Sequence, residues 1–385
     1  MLSTREGASS SPSAISTLRQ CFADPLTAAR VAHRSGQHVV GAVAHTVPWE
    51  ILRAAGVAPV VVRPPRSPAV FCDEFLEPGV FSLRIRALFE STLAGDLTFL
   101  SALVFPRSSE QDYKAYLYLR EAAREGQEPL PATWLYDVLY SPSSHAYDYG
   151  LARTRELAAR LEALTGRVIR DDDFEAAIAE GNAARAAARQ LLSLRGGPPR
   201  INGVEALALL GSLFLIDRVR YTTLALRAAA EAAGRTPLQG PRLAVAGAWV
   251  DDERLHALLE AHGAVVVAED GGWGSRGAGR DVEPGADFIA AIFAKYHRDG
   301  PGVRQFPADD RAWLDALSGS TVDGVVFYLP PDDSVRGWDV PLARRRLDAR
   351  GIPSLVIRDD IDDPAMPERW HERVAAFVTQ TERGH

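Results

Sequence analysis

The sequence predicts an α/β protein with two doubly wound (Rossmann- or flavodoxin-like) parallel-sheet domains and a helical segment between them. Short apolar runs alternate with helical patterns in the first and last thirds of the chain, the pattern of strands covered by helices on both faces. The middle third is helical throughout. A chain of 385 residues, 46% hydrophobic and 24% charged, has the length and composition for two or three separate cores.

Taken in order, residues 1–20 are rich in Ser and Ala and read as a disordered tail. A first domain over 21–148 opens with the strand His38–Val43, the helix Pro48–Ala55 and the strand Ala58–Val62. Phe81–Leu93 has apolar residues at helical spacing, and Leu100–Phe105 is a further buried-type strand. Ser108 or Ser109 then caps a helix running to about Glu125, because a hydroxyl accepts the free N–H groups of a first turn. The helical segment spans 149–238. Asp171–Asp173 mark a helix start, and Gly166, Gly196 and Gly234 stand where helices stop. The second α/β domain, 239–385, has strands at Arg242–Ala246, Ala264–Ala268, Gly324–Leu329 and Ser354–Ile357, with helices at Asp252–His262 and Val340–Arg350.

Composition narrows the function. A net charge of −7 argues against a nucleic-acid partner, which needs a concentrated basic face. No run reaches 18 apolar residues, so no membrane span is expected, and the first residues lack the apolar stretch of a secretory signal; a cytoplasmic location is expected. Two cysteines, Cys21 and Cys72, are too few for a disulfide framework or a four-thiolate metal site.

In doubly wound sheets ligands sit at the carboxyl ends of strands, so the segments just after each strand are the candidates. After the first strand come His45 and Glu50. Each reads either as a structural residue, a surface histidine and a helix-start carboxylate, or as a cleft acid–base group whose carboxyl is raised by burial. After Leu100–Phe105 come Arg107, a possible partner for an anion, and the two serines. Trp249 follows the strand Arg242–Ala246. Glu269, Asp270, Trp273, Gly274 and Arg276 follow Ala264–Ala268 in a glycine-rich loop that suits close backbone approach to a ligand. Asp332 and Asp333 follow Gly324–Leu329, in the pattern of a turn and a helix cap.

Four segments resemble, in order, the 2-hydroxyacyl-CoA dehydratase and benzoyl-CoA reductase subunit family. GAVAHTVPWEILRAAGVAPV is similar to the family's opening strand and Pro-x-Glu helix. LTGRVIRDDDFEAAIAEGNAARAAARQLLSLRGGPPRINGVEAL is similar to its helical middle. RLAVAGAWVDDERLHALLEAHGAVVVAEDGGWGSR is similar to the start of its second lobe. DGVVFYLPPDDSVRGWDVPLARRRLDARGIPSLVI is similar to its last strand–loop–helix–strand unit. The resemblance implies an acyl-CoA or related acyl substrate between two lobes, and a [4Fe–4S] cluster held by three cysteines. The corresponding positions here are Ser82, Ser109 and Asp333; Ala44 and Gly272 stand where further family cysteines occur. Hydroxyl and carboxylate oxygens are poor substitutes for soft thiolates, and Cys72 offers at most one. The cluster, and with it the family's radical dehydration, is therefore expected to be absent, and no other cofactor is expected.

Three functions compete. One is altered, non-radical chemistry on an acyl thioester, with Ser109, His45, Asp333 and Glu50 in nucleophile, base and orienting roles. The second is a non-catalytic subunit paired with a cluster-bearing homologue. The third is a zinc, magnesium or manganese site built from His45, Glu110, Asp332 and Asp333. The assembly expected is a homodimer or a heterodimer with a related subunit.

Overall fold

The computed structural model describes residues 12–65, 70–77, 80–126, 130–248, 250–299, 313, 322–331, 333 and 335–382. Val39–Ala42 (β1) is buried on both faces, as a central strand of a helix-covered parallel sheet must be. It pairs in parallel with Ala58–Val61 (β2) on one side and Ala102–Pro106 (β3) on the other, and β3 pairs with Ala132–Tyr136 (β4). The sheet order is β2-β1-β3-β4. In the second lobe Arg242–Gly247 (β5) pairs with Val265–Glu269 (β6) and Gly324–Leu329 (β7), and β7 pairs with Ser354–Arg358 (β8). Its order, β6-β5-β7-β8, repeats the first. Both sheets are all-parallel and flanked by helices, as the apolar runs predicted.

Strand β4 escaped the sequence reading. It is a mostly half-exposed edge strand that opens on exposed Ala132 followed by Thr133, so it lacks a continuous apolar run. The expected tail over 1–20 needs a larger correction. Residues 1–11 lie outside the described set, but Ala14–Ala23 (α1) is a helix. Ser13 caps it, and Glu231 accepts the N–H groups of Ala14 at 2.9 Å and Ile15 at 3.3 Å. Its apolar residues Ile15, Leu18 and Phe22 recur at helical spacing and are buried.

Helices Thr27–Arg34 (α2), Trp49–Ala54 (α3), Leu83–Leu93 (α4) and Glu110–Arg124 (α5) belong to the first lobe. The helical middle consists of Ser144–Thr165 (α6), Asp171–Gly196 (α7), Gly203–Gly211 (α8) and Arg218–Ala233 (α9). Arg254–Glu260 (α10), Ser275–Ala278 (α11), Phe288–Asp299 (α12), Arg336–Asp348 (α13) and Met366–Glu382 (α14) complete the described helices. One apolar core runs from the first sheet through α1 and the helical middle, and it takes in Trp273, Ala278, Ile292 and Phe293 from the chain after β6. The second sheet has its own apolar clusters on its two faces. The chain thus enters the second lobe, returns to the first core through α11 and α12, and goes back to form β7. Among the described residues, no helix is long and apolar enough to cross a membrane.

Two buried ion clusters fasten these parts. Arg195, at the end of α7, donates to both oxygens of Glu269 at 2.6 and 2.8 Å and to the Val266 carbonyl at 2.7 Å, joining the helical middle to β6. Glu50, on α3, accepts from Arg185 at 2.7 Å, from Arg218 at 3.1 Å and from the Tyr296 hydroxyl at 2.8 Å. Gly181 permits that approach: a Cβ there would stand 2.4 Å from Glu50 Oε1.

Candidate functional site between the lobes

In each sheet the strand order reverses beside the first strand, between β1 and β3 and between β5 and β7. Such reversals open a crevice at the strands' carboxyl ends. Here the two crevices face each other across one cleft of about 710 Å³. The first lobe lines it with Ala44 and Thr46 after β1 and with Ser108 and Ser109 after β3. The second lobe contributes Gly247 and Ala248 after β5, Asp270 after β6, Pro330, Pro331 and Asp333 after β7, and Asp360–Asp362 after β8. Gly247 has φ +108°, and a Cβ there would stand 2.2 Å from the Tyr328 carbonyl oxygen, so this turn requires glycine.

The three positions that the resemblance assigns to cluster cysteines all line this cleft. Each one ends a helix. Ser82 Oγ accepts the Ile85 N–H at 3.4 Å and caps α4. Ser109 Oγ accepts the Asp112 N–H at 3.1 Å, caps α5 and donates to Asp112 Oδ2 at 2.7 Å. Asp333 accepts the N–H groups of Arg336 at 3.0 Å and Gly337 at 2.6 Å, the first free donors of α13. Three helix N-termini, each carrying partial positive charge, therefore converge on one space. Buried Asp112 is further held by Ser108 Oγ at 3.0 Å and Arg84 at 2.5 Å.

These residues do not fit a [4Fe–4S] cluster. The three positions present oxygens already engaged in helix capping, and neither cysteine lines the cleft. Cys72 is buried, and burial, with the carboxylates of Asp73 and Glu90 adding to it, pushes its thiol up to about 11, away from the thiolate that iron requires. Cys21 lines a different recess, between α1, α2 and α3. Nor, among the described residues, do three or more His, Cys, Asp or Glu side chains group to hold another metal. Asp332, part of the metal reading, lies outside the described residues.

Other expected site residues are placed elsewhere. His45 does not line the cleft. Its ring is buried edge-on against Phe214 and Trp273, with centroids 4.2 and 4.6 Å apart. Burial, assisted by the Arg84 charge, lowers its pKa to about 3. The Ser109–His45 pairing expected of a nucleophile and base is not formed. For Glu50 the expected upward shift is reversed: burial pushes the carboxyl up, but Arg185, Arg218 and Lys295 pull it further down, to about 2. It is a permanent anion between buried cations rather than a proton donor. Glu269 is held below the usual carboxylate range in the same way, with burial outweighed by Arg195 and His256, and its side chain faces inward.

Of the proposed substrate contacts, Asp270 lines the cleft, with Arg276 bonded to it at 3.4 Å. Trp273 is a core residue, packed on Phe22, His45 and Phe214. Gly274 lies against Glu269, where a Cβ would stand 2.7 Å from Oε2. Arg107 stacks on Tyr113 and pairs with Asp137 at 3.6 Å. Trp249 lies outside the described residues. Sequence reasoning missed Arg84 and Asp112, whose i, i+3 signal, a serine cap followed by an acid at the third helical position, was available at Ser109.

A family model described as 2-hydroxyglutaryl-CoA dehydratase, D-component, matches residues 45–380. No curated protein matches the chain.

Proposed function

We propose that this chain, which belongs to the 2-hydroxyglutaryl-CoA dehydratase D-component family, binds an acyl-CoA or related acyl substrate in the interlobe cleft and acts on it without an iron–sulfur cluster. The observation that carries the reading is the convergence of Ser82, Ser109 and Asp333 on one cleft as three helix caps. An acyl carbonyl entering there would meet the N-terminal ends of α4 and α5, whose dipoles favour negative charge developing on its oxygen, while the α13 end is already balanced by the Asp333 carboxylate. That field suits polar, two-electron chemistry on a thioester, namely acyl transfer, hydrolysis or elimination, and supplies no electron for a ketyl radical. Ser109 is the candidate nucleophile, with Asp112 as the carboxylate that orients its hydroxyl. Asp333 faces the same space from the opposite lobe.

Two measurements test this. Anaerobically purified protein is expected to contain no stoichiometric iron or acid-labile sulfide; finding both would overturn the cluster-free reading. A calorimetric panel of acyl-CoA thioesters is expected to give saturable binding that weakens in Ser109→Ala and Asp333→Asn. Absence of binding across short, branched and aromatic acyl groups would overturn the substrate reading, and co-purification of a cysteine-bearing homologue would move the chemistry to that partner.

A further inference from the structure

Two imidazoles meet on the second lobe, in a recess of about 900 Å³ whose lining shares no residue with the cleft. His262 follows α10 and His371 lies on α14; His262 Nε2 stands 3.0 Å from His371 Nδ1, with ring centroids 4.5 Å apart. The other ring nitrogen, His262 Nδ1, is 2.8 Å from the Leu258 carbonyl oxygen. A carbonyl can only accept, so Nδ1 donates, and in the neutral ring Nε2 accepts from His371 Nδ1; a metal taken between the rings would replace the His371 Nδ1 proton, which is released. A far N–H tied to a backbone carbonyl is how proteins fix the ring of a ligating histidine.

The surroundings are compatible with a cation. Glu368, one helical turn before His371 on the same face, and Glu372 line the same recess. The nearby arginines are engaged: Arg254 with Asp252 at 2.7 Å and with Asp362, Arg369 with Asp359 at 2.6 Å and Asp363 at 2.7 Å, and Arg373 over the Trp370 ring.

We propose that His262 and His371 form a surface site for a borderline divalent transition metal (nickel, copper or zinc). Two imidazole nitrogens ~2.0–2.1 Å from one tetrahedral zinc stand ~3.3–3.4 Å apart, and at right angles around nickel or copper ~2.9 Å apart. The 3.0 Å separation lies within a few tenths of an ångström of both. Among the described residues no third His, Cys, Asp or Glu is grouped with the pair, so water would complete the shell of a bound ion. Imidazole donors select against magnesium and calcium. A bound ion would tie the end of α10 to α14 and stabilise the second lobe by linkage, since the unfolded chain separates two ligands 109 positions apart. The site is independent of the cleft and of the chemistry proposed there.

The test titrates the full chain with nickel, zinc and magnesium by calorimetry and follows the thermal midpoint in parallel. His262→Gln and His371→Gln are compared with the unaltered chain. The unaltered chain is expected to bind one equivalent of nickel or zinc and to gain thermal stability with metal concentration. Each variant is expected to lose binding by at least the roughly 10–100-fold that loss of even an outer-shell partner costs. Circular dichroism without metal establishes that the variants are folded. Equal nickel and zinc binding in all three proteins, or a midpoint that moves equally with magnesium, would overturn the proposal. So would the absence of any binding by the unaltered chain, which would leave a plain hydrogen bond between the rings.

Discussion

Replacing Glu50 by Gln keeps the side chain's size but removes the one carboxylate shared by Arg185 and Arg218, both almost fully buried. Two routes give the size of the effect. Removing one partner of a buried ion cluster leaves uncompensated charge and costs about 3–5 kcal/mol. Independently, a carboxyl with an ordinary value of 4.5 held at about 2 in the folded protein corresponds to about 3 kcal/mol of stability by proton linkage. Because the folded value is the lower one, this stability is fully present above pH 4.5 and is lost as pH falls through about 2. Urea unfolding followed by tryptophan fluorescence should therefore show Glu50→Gln destabilised by roughly 3 kcal/mol at pH 7. The gap to the unaltered chain should hold constant from pH 8 to about 5 and close progressively below 4.5. Comparing the two proteins cancels His45, whose protonation also destabilises the fold in acid. A variant within 1 kcal/mol of the parent at pH 7, or a gap that widens as pH falls, would refute the assignment of Glu50 as a permanently charged structural anion.

Three further outcomes follow from the geometry. His45, neutral in the fold with its pKa lowered to about 3 from 6.5, contributes stability above pH 6.5 that is lost toward pH 3; His45→Phe should flatten stability over that window in pH-dependent melts, and an unchanged slope would contradict its burial as a neutral aromatic. Gly247→Ala forces a side chain onto the Tyr328 carbonyl at positive φ, and chemical denaturation should register a loss of more than about 2 kcal/mol. Ser109→Ala removes the cap of α5 and should cost about 1 kcal/mol in the same assay, while weakening acyl-thioester binding by a larger factor than Ser143→Ala, a cap on α6 that does not line the cleft.

Much of the frame was legible because buried parallel strands have to be written as apolar runs, and seven of the eight strands among the described residues were. The exception, Ala132–Tyr136, shares its edge position with three legible strands, but an exposed Ala132 followed by Thr133 breaks its apolar run. Helix α1 was lost to composition: the Ser- and Ala-rich stretch leading into it masks its start, and its partner Glu231 is more than two hundred residues away. The cleft was legible through strand ends and through the three aligned positions. The roles of Glu50, His45 and Trp273 were not, because each depends on residues that only folding brings near. Nothing around Glu50 announces Arg185 or Arg218, so burial could be guessed and the direction of its pKa could not. The loop Gly271–Arg276 has the glycines of a ligand loop, yet they serve to let Trp273 plug the first lobe's core and to bring Gly274 against Glu269.

The path of the chain between the lobes sets how the cleft can work. The polypeptide crosses from one lobe to the other three times, after α9, after β6 and after α12, because α11 and α12 belong to the first core while β6 and β7 belong to the second sheet. Two bodies on a single tether can swing apart like a clamshell; three separated tethers leave mainly a small sliding motion. Arg63 of the first lobe, donating at 2.7 Å to the carbonyl of Asp251, which lines the cleft, adds a strut between the lobes. On the reading proposed above, a substrate would enter a largely preset slot rather than trigger a jaw to close.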